Sequence, residues 1–305
     1  MSIDRFQGCL LGLALGDTHG APHEGGPIER LLWRMIGRTK TGEMRFTDDT
    51  QMSLDLAQSL LDRGQLDQDD LAYKFARSYR WSRGYGPGAV KLLRRIAKGQ
   101  DWRKANRSVF PNGSWGNGGS MRAPVIGLWF CRRFDDLAEA ARASAQITHA
   151  HPLGIQGAVV IASATALALT DEDSVAIVRR LIHQCEGDVF FKKLTKLEAW
   201  LVKSHEPSAP ELRAELGNGM AAADSCVSAL ALALSHRSRS FEDLLLQAAR
   251  IGGDVDTIGA MAGAIWGAAN GHAALPTHAL ARVEQREYLE EVATALHEQV
   301  MAGAG

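Results

Sequence analysis

Apolar residues recur along much of the chain at the three- and four-residue spacing that places them on one face of an α-helix. Four segments show this spacing most clearly: Phe6, Leu10, Leu13 and Ala14; Met52, Leu56 and Leu60; Leu71, Phe75 and Tyr79; and Val159, Ala162, Ala166 and Leu169. No segment alternates apolar and polar residues convincingly, as a half-buried strand would. The pattern predicts an all-α protein.

Glycines and other small residues divide this pattern. Glycines fall mostly between the predicted helices, in residues 16–26, 84–88, 113–119 and 252–253. Loops carry function more often than helices do, so these four segments are the first candidates for a site. Small residues are also concentrated at 221–223 and 259–264. We expect those two segments to form central helices, because small side chains let helix backbones approach closely.

The composition favours one globular domain. Of 305 residues, 46% are apolar, which is enough to bury a sizeable core. No low-complexity tract, linker or repeat interrupts the chain, so residues 1–305 are predicted to form a single domain. Lys and Arg number 34 against 35 Asp and Glu. This balance gives no reason to expect nucleic-acid or acidic-membrane binding.

The cysteines and the N-terminal segment indicate in which cellular compartment the protein resides. The four cysteines are scattered and form no CxxC pair, which argues against a disulfide framework and a zinc site. The apolar run at residues 8–15 ends at Asp17 without the cleavage pattern of a signal peptide. No apolar run is long enough to span a membrane. We therefore expect a cytoplasmic protein.

Two predicted helix starts carry the same set of side chains, two aspartates and a threonine. The sets are Thr47, Asp48 and Asp49, and Asp254, Asp256 and Thr257. For either set alone, helix capping is the simplest interpretation. If both lie in one cleft, their four carboxylates repel each other strongly unless a cation neutralises them. Such oxygen ligands suit Mg²⁺ or Mn²⁺ and would suffice for two ions.

The first glycine-rich segment holds three further candidates. Glu24 is either a solvated surface carboxylate or a mobile carboxylate of the site. His19 and His23 have the i, i+4 spacing of two metal ligands on a helix. Pro22 and the neighbouring glycines argue against a helix there, so we predict no histidine metal site.

The glycine-rich segment at residues 112–122 is a candidate diphosphate site. Its glycines expose backbone N–H groups, which can bind phosphate oxygens. It lacks the GxxxxGK[ST] pattern of a P-loop, and no strand precedes it as in a dinucleotide fold. Trp115 within it either fills the core or stacks on a purine. His149 is either a buried hydrogen-bonded residue or a ligand contact.

Together these motifs resemble the ADP-ribosylglycohydrolase family, which includes bacterial dinitrogenase reductase-activating glycohydrolases and animal ADP-ribosylhydrolases. The motifs follow the family's order: Gly16-Asp17-x-x-Gly20 with Glu24, Thr47-Asp48-Asp49-Thr50, Gly116-Asn117-Gly118-Gly119-Ser120-Met121-Arg122, Thr148-His149, and Gly253-Asp254-Val255-Asp256-Thr257. The resemblance implies a compact orthogonal helical bundle with a binuclear Mg²⁺ or Mn²⁺ site.

The resemblance also implies roles for individual residues. The metal ligands would be Thr47, Asp48, Asp49, Asp254, Asp256 and Thr257. The acid–base carboxylate would be one of Glu24, Asp48 and Asp254. The substrate-binding residues would be Phe110, Ser114, Trp115, Gly116, Asn117, Gly118 and His149, with the diphosphate on residues 114–118 and the adenine between Trp115 and Phe110.

Within the family, residues 83–86, 112–122 and 216–222 resemble the branch that cleaves serine-linked ADP-ribose and poly(ADP-ribose). This implies that the substrates are ADP-ribosylated proteins or small molecules containing ADP-ribose. Alternatives are an arginine-specific hydrolase and a non-catalytic, crystallin-like protein of the same fold, although every metal carboxylate is present. An isoprenoid synthase would need an Asp-Asp-x-x-Asp motif, and Asp48-Asp49 lacks its third aspartate.

Overall fold

The computed structural model describes residues 1–170 and 172–303, apart from the side chain of Glu29, and these residues form seventeen α-helices. The helices are α1 (Ile3–Gly20), α2 (Pro27–Ile36), α3 (Asp48–Arg63), α4 (Gln68–Ser78), α5 (Pro87–Ala97), α6 (Trp102–Val109), α7 (Ala123–Trp129), α8 (Phe134–Gln146), α9 (Pro152–Ala168), α10 (Ser174–His183), α11 (Asp188–Val202), α12 (Ala209–Glu215), α13 (Ala222–Ser235), α14 (Phe241–Ile251), α15 (Val255–Asn270), α16 (Thr277–Leu280) and α17 (Arg286–Ala302). Short 3-10 helices lie at Ala21–His23, Trp81–Arg83, Asn117–Gly119 and His272–Ala274. These ranges contain isolated β-bridges but no strand, so the all-α prediction is confirmed.

Helices α1 and α15 pack at the centre of the molecule at very short range. A methyl group on Gly12 would lie 2.2 Å from the carbonyl oxygen of Gly263, so only glycine allows this approach. At the end of α1, a methyl group on Gly20 would lie 2.3 Å from the Cα atom of Asp256. This packing therefore brings the end of α1 against the start of α15, where one of the two aspartate sets lies.

One expectation about the glycines is wrong. Residues 16–20 are not a loop, because α1 continues through Gly20. Glycine has low helix propensity. The glycines of α1 recur every four residues, however, so they form one face without side chains. Close packing of this face against α15 stabilises the helix by more than the low propensity costs. His19 is therefore helical, and its Nδ1 atom lies 3.0 Å from the carbonyl oxygen of Leu15. Among the described residues, neither His19 nor His23 belongs to a candidate metal group.

The predicted apolar faces form the core. Phe6, Leu10, Leu56, Phe75 and Val159 are all buried in one cluster of apolar side chains. Both small-residue segments lie in buried helices, α13 and α15, as predicted. In the described part of the chain, no helix is long and apolar enough to cross a membrane.

Candidate active site

The two aspartate sets meet where α3 and α15 begin. Thr47 caps α3, and its hydroxyl oxygen accepts a hydrogen bond from the N–H of Asp49 at 3.2 Å. Asp254 immediately precedes α15. The hydroxyl of Thr257 donates to Asp49 Oδ1 at 3.3 Å, although the two residues lie 208 positions apart. Helix packing therefore joins two segments that each resemble an ordinary helix cap.

Five carboxylates line one end of the resulting cleft, which has a volume of about 240 Å³: Glu24, Asp48, Asp49, Asp254 and Asp256. Oxygen atoms of Glu24, Asp254 and Asp256 lie within 4.8 Å of one another. Burial raises the pKa of Asp256 well above its usual value, and the charges of Glu24, Asp49 and Asp254 raise it further. Burial also raises the pKa of Asp48, with contributions from Asp17 and Glu24.

This end of the cleft fits a divalent cation. All of its donor atoms are oxygens, which suits hard ions such as Mg²⁺ and Mn²⁺. The Oδ2 atom of Asp49 is buried and has no hydrogen-bond partner among the described residues. A buried carboxylate oxygen without a partner is costly, and a bound cation would satisfy it. The acidic group is thus suited to hold a metal.

Thr47 differs from the other predicted metal ligands because it does not line the cleft. Asp48, Asp49, Asp254, Asp256 and Thr257 line the cleft. The buried Thr47 side chain instead caps α3 and is not among the lining residues.

Asp17 is a buried residue of this site that the sequence did not single out as a site residue. It accepts hydrogen bonds from the N–H groups of Thr47, at 3.0 Å, and Thr50, at 3.1 Å. The Thr50 hydroxyl donates to it at 2.5 Å. Burial raises the pKa of Asp17 to about 6, although these hydrogen bonds oppose the shift. Asp17 therefore fixes the first turn of α3, and the only sequence signal for it was its place in the motif beginning at Gly16.

A buried ion pair fixes the residue that precedes this turn. Arg83 pairs with Glu284, and Arg83 also donates to the carbonyl oxygen of Phe46 at 2.7 Å. Glu284 accepts from the N–H of Phe46 at 2.8 Å. Sequence reasoning missed Glu284, because a contact across 238 positions leaves no local pattern.

The other end of the cleft is formed by the glycine-rich segment. Ser114, Gly116, Asn117, Gly118 and His149 line it, together with Phe110. Trp115 is 58% exposed and is not among the lining residues. The side-chain amide of Asn117 donates to Asp254 Oδ2 at 2.5 Å, which connects the two ends of the cleft.

The His149 imidazole packs against the glycine backbone. A methyl group on Gly118 would lie 2.4 Å from His149 Cε1, so this position requires glycine unless the ring moves. The Nδ1 atom of His149 lies 2.8 Å from the hydroxyl oxygen of Thr148. Burial lowers the pKa of His149 to about 3, with a smaller contribution from the charge of Arg122. The imidazole is therefore neutral at physiological pH.

Residues 216–222 support both ends. The carbonyl oxygen of Asn218 accepts from the N–H of Asp254 at 2.9 Å, and that of Met220 accepts from the N–H of Asn117 at 2.9 Å. Gly253 has φ +76°, and a methyl group there would lie 2.0 Å from the Asn218 carbonyl oxygen. This close backbone contact explains why Gly253 precedes Asp254.

The family model for ADP-ribosylglycohydrolases matches residues 2–304. The chain belongs to the ADP-ribosylglycohydrolase family. Human ADP-ribosylhydrolase ARH3 is 33% identical to it over 341 residues, covering 97% of this chain and 93% of the human protein. An uncharacterised protein of Archaeoglobus fulgidus is 30% identical, covering 97% and 96%.

A solved structure titled "ADP-ribosylglycohydrolase-related protein complex" has a TM-score of 0.72 and 28% identity to this chain, covering 98% of it and 99% of the solved chain. Family membership supports an enzyme that hydrolyses ADP-ribosyl bonds and excludes the isoprenoid synthase alternative.

Proposed function

We propose that the protein uses two Mg²⁺ or Mn²⁺ ions to hydrolyse the glycosidic bond between ADP-ribose and a protein side chain, with serine linkages preferred. Poly(ADP-ribose) and O-acetyl-ADP-ribose are further substrates of this proposal. The observation that carries it is the shared cleft, which five carboxylates and a glycine-rich loop line together. Cations bind at the first end and a diphosphate at the second.

The metal ligands of the proposal are Asp48, Asp49, Asp254, Asp256 and Thr257, with Thr47 as the sixth. Metal ions bound in such a site orient substrate oxygens and lower the pKa of water. The unpartnered Asp49 Oδ2 atom supports this ligand set, and oxygens of Asp254 and Asp256 lie within 4.8 Å of each other and of Glu24.

Cleavage also requires a proton for the leaving oxygen. A carboxylic acid near the anomeric carbon supplies it, as in glycosidases. Glu24, Asp48 and Asp254 are the candidates, and all three line the cleft. Burial raises the pKa of both Asp48 and Asp254 in the metal-free cleft, which favours their protonated forms there.

Residues 114–118 hold the diphosphate in this proposal, and His149 supports them from one side. The adenine lies between Phe110 and Trp115. The Phe110 ring lines the cleft and packs so closely on α5 that a methyl group on Gly88 would lie 2.3 Å from its Cζ atom. Trp115 is exposed, so its ring is accessible to a base.

The serine preference rests on the resemblance at residues 83–86 and 112–122. Gly84 and Gly86 of the first stretch line the cleft beside Asp48. Glu24, from the segment after α1, lines the same cleft. Discrimination between linkages belongs to this rim, because serine and arginine substrates share the same ADP-ribose.

Matched serine- and arginine-ADP-ribosylated peptides test the proposal. At equal concentrations with Mg²⁺, we expect faster release of ADP-ribose from the serine peptide, and no release after dialysis against EDTA. Faster cleavage of the arginine peptide would refute the serine preference and leave the metal site in place. Full activity in EDTA would refute metal dependence.

The remaining parts of the proposal concern the whole chain. Residues 1–305 act as one domain, which is supported by the packing of α1 on both α15 and α17. The cytoplasm is the proposed compartment, consistent with free cysteines at all four positions. The proposed partners are ADP-ribosylated proteins, and we propose no nucleic-acid contact.

A further inference from the structure

Arg122 is a fully buried cation directly behind the glycine-rich loop. It donates to the carbonyl oxygen of Gly118 at 2.5 Å, to that of Ser144 at 2.8 Å and to the Thr148 hydroxyl at 3.0 Å. Its guanidinium also lies over the Phe75 ring, 4.8 Å from the centroid. All of these partners are uncharged.

No carboxylate among the described residues forms an ion pair with Arg122. The other strongly buried arginine, Arg83, is paired with Glu284. Burial lowers the pKa of Arg122 to about 9, so its guanidinium still carries a charge at neutral pH. A buried charge without a counter-ion is costly, and proteins normally pair it. Arg122 therefore leaves a buried positive charge that an anion bound on the cleft side of Gly118 would balance.

The lining of the cleft points to that anion. Five carboxylates and no lysine or arginine line it within the described part of the chain. A diphosphate carries negative charge, and bare carboxylates would repel it. Gly118 and His149 line the cleft, and Gly118 bonds directly to Arg122. The guanidinium is thus the basic group immediately behind the loop wall.

We propose that Arg122 is the positioning residue of the diphosphate site: it holds the Gly116–Gly118 backbone in place and supplies the positive charge that the substrate diphosphate neutralises. This inference rests on the proposed function. In this proposal a buried side chain balances the phosphate charge, which surface lysines and arginines usually do. Its charge acts through protein interior, where electrostatic interactions are stronger and less screened by salt than at a surface.

Calorimetry with ADP-ribose at saturating Mg²⁺ tests the inference on three proteins: the wild type, Arg122→Met and Arg122→Lys. We expect Arg122→Met to bind at least about tenfold more weakly, because the buried positive charge behind the loop and its hydrogen bond to the loop are both lost. Arg122→Lys keeps the charge but loses the guanidinium fork, so its loss of affinity should be clearly smaller than that of Arg122→Met, below about tenfold. The KM of Arg122→Met should rise while its kcat changes little, since Arg122 does not contact the reacting bond.

Mn²⁺ affinity, measured by electron paramagnetic resonance, separates this role from a general structural one. We expect it to be unchanged in both variants, whereas a distorted cleft would weaken it as well. Equal ADP-ribose affinity in the wild type and Arg122→Met, or equal loss in both variants, would overturn the role of Arg122. Failure of the wild type to bind ADP-ribose would instead refute the proposed function.

If Arg122→Met does not fold, Arg122→Lys and Thr148→Val decide the question. Both keep the positive charge and lose hydrogen bonds of the network. A loss of ADP-ribose affinity below about tenfold in both supports the charge that the proposal assigns to Arg122. A loss of tenfold or more in both, with wild-type melting temperatures, would show that hydrogen-bonded loop shape alone determines binding, and would overturn that assignment of charge.

Discussion

The two ends of the cleft differ in the sign of the charge that their buried groups carry when ionised. At one end, buried carboxylates crowd together, and burial and mutual repulsion raise the pKa values of Asp49 and Asp256. At the other end, the glycine backbone lines the cleft and burial lowers the pKa values of His149 and Arg122. Each end thus holds groups whose charged forms are destabilised by burial, but the sign of the charge differs.

This difference shows how one cleft can recognise a ligand set of mixed charge. In the proposed function, cations relieve the repulsion at the carboxylate end, and the substrate diphosphate binds at the loop end. Asn117 belongs to the loop and donates to Asp254, so the two ends are held in one geometry. Apart from this hydrogen bond, different residues form the two ends, so we expect damage at one end to leave binding at the other largely intact, and variants at each end test this.

The largest effect is expected for Asp256→Ala. In the proposed function this carboxylate is a metal ligand, so turnover should fall by at least about a thousandfold, while the helical circular-dichroism spectrum is retained. The control is Asp243→Ala, which removes an exposed first-turn aspartate of α14 that does not line the cleft. Substantial residual turnover in Asp256→Ala would show that Asp256 is not an essential metal ligand.

Asp17→Asn probes the support of the carboxylate end. Asp17 accepts hydrogen bonds through both carboxylate oxygens, from the N–H of Thr47 and from Thr50, and an amide cannot replace both. We expect Mn²⁺ affinity to fall by roughly 10- to 100-fold, as for other groups that orient metal ligands. Asp4→Asn, at the other end of α1, is the matched control and should leave Mn²⁺ affinity unchanged. Equal affinities in both variants would show that Asp17 has no part in shaping the site.

The two ends also differ in how far the sequence predicts them. The periodic apolar residues predicted the helices, because burial of one face follows directly from their spacing. The aspartate sets carried a local signal, since each lies at a helix start. Asp17 and Arg122 gave a much weaker signal. Both lie in motifs that resemble those of the family, but their burial and their hydrogen-bond partners depend on packing between distant segments. Asp17 was missed because the glycines of α1 predict a loop until α15 is present to pack against them.

Gly118→Ala compares the loop end with a glycine elsewhere in the same cleft. The added methyl group would lie 2.4 Å from His149, so the ring or the loop must shift. Gly86 also lines the cleft, has φ −59°, and has nothing within 4 Å of an added methyl group. We expect ADP-ribose affinity to fall about tenfold in Gly118→Ala, by roughly 1.4 kcal/mol, and to be unchanged in Gly86→Ala. Mn²⁺ affinity should equal the wild-type value in both variants. A large loss of Mn²⁺ affinity in Gly118→Ala would contradict the independence of the two ends.

The smallest expected effect is on the stability of the metal-free protein. The pKa of Asp256 is higher in the folded chain than the value of about 4 for an unfolded aspartate, so the wild type loses stability as pH rises through this interval. Asp256→Ala has no carboxyl group at this position, so it does not lose stability in this way as pH rises. Its melting temperature should exceed that of the wild type at pH 8, by roughly 2 °C per kcal/mol, and the difference should shrink towards pH 5. The lowered pKa of His149 acts in the opposite direction but is common to both proteins. A difference that grows on acidification would contradict the repulsion at the carboxylate end.

The most direct measurement of the central claim is the stoichiometry of Mn²⁺ binding to the dialysed, metal-free protein, followed by electron paramagnetic resonance. The account predicts two ions per chain in the wild type and a clear loss of binding in Asp256→Ala, with no loss in the loop variant Gly118→Ala. It would be contradicted by a wild-type protein that binds no Mn²⁺ below about 1 mM and still releases ADP-ribose at full rate in EDTA.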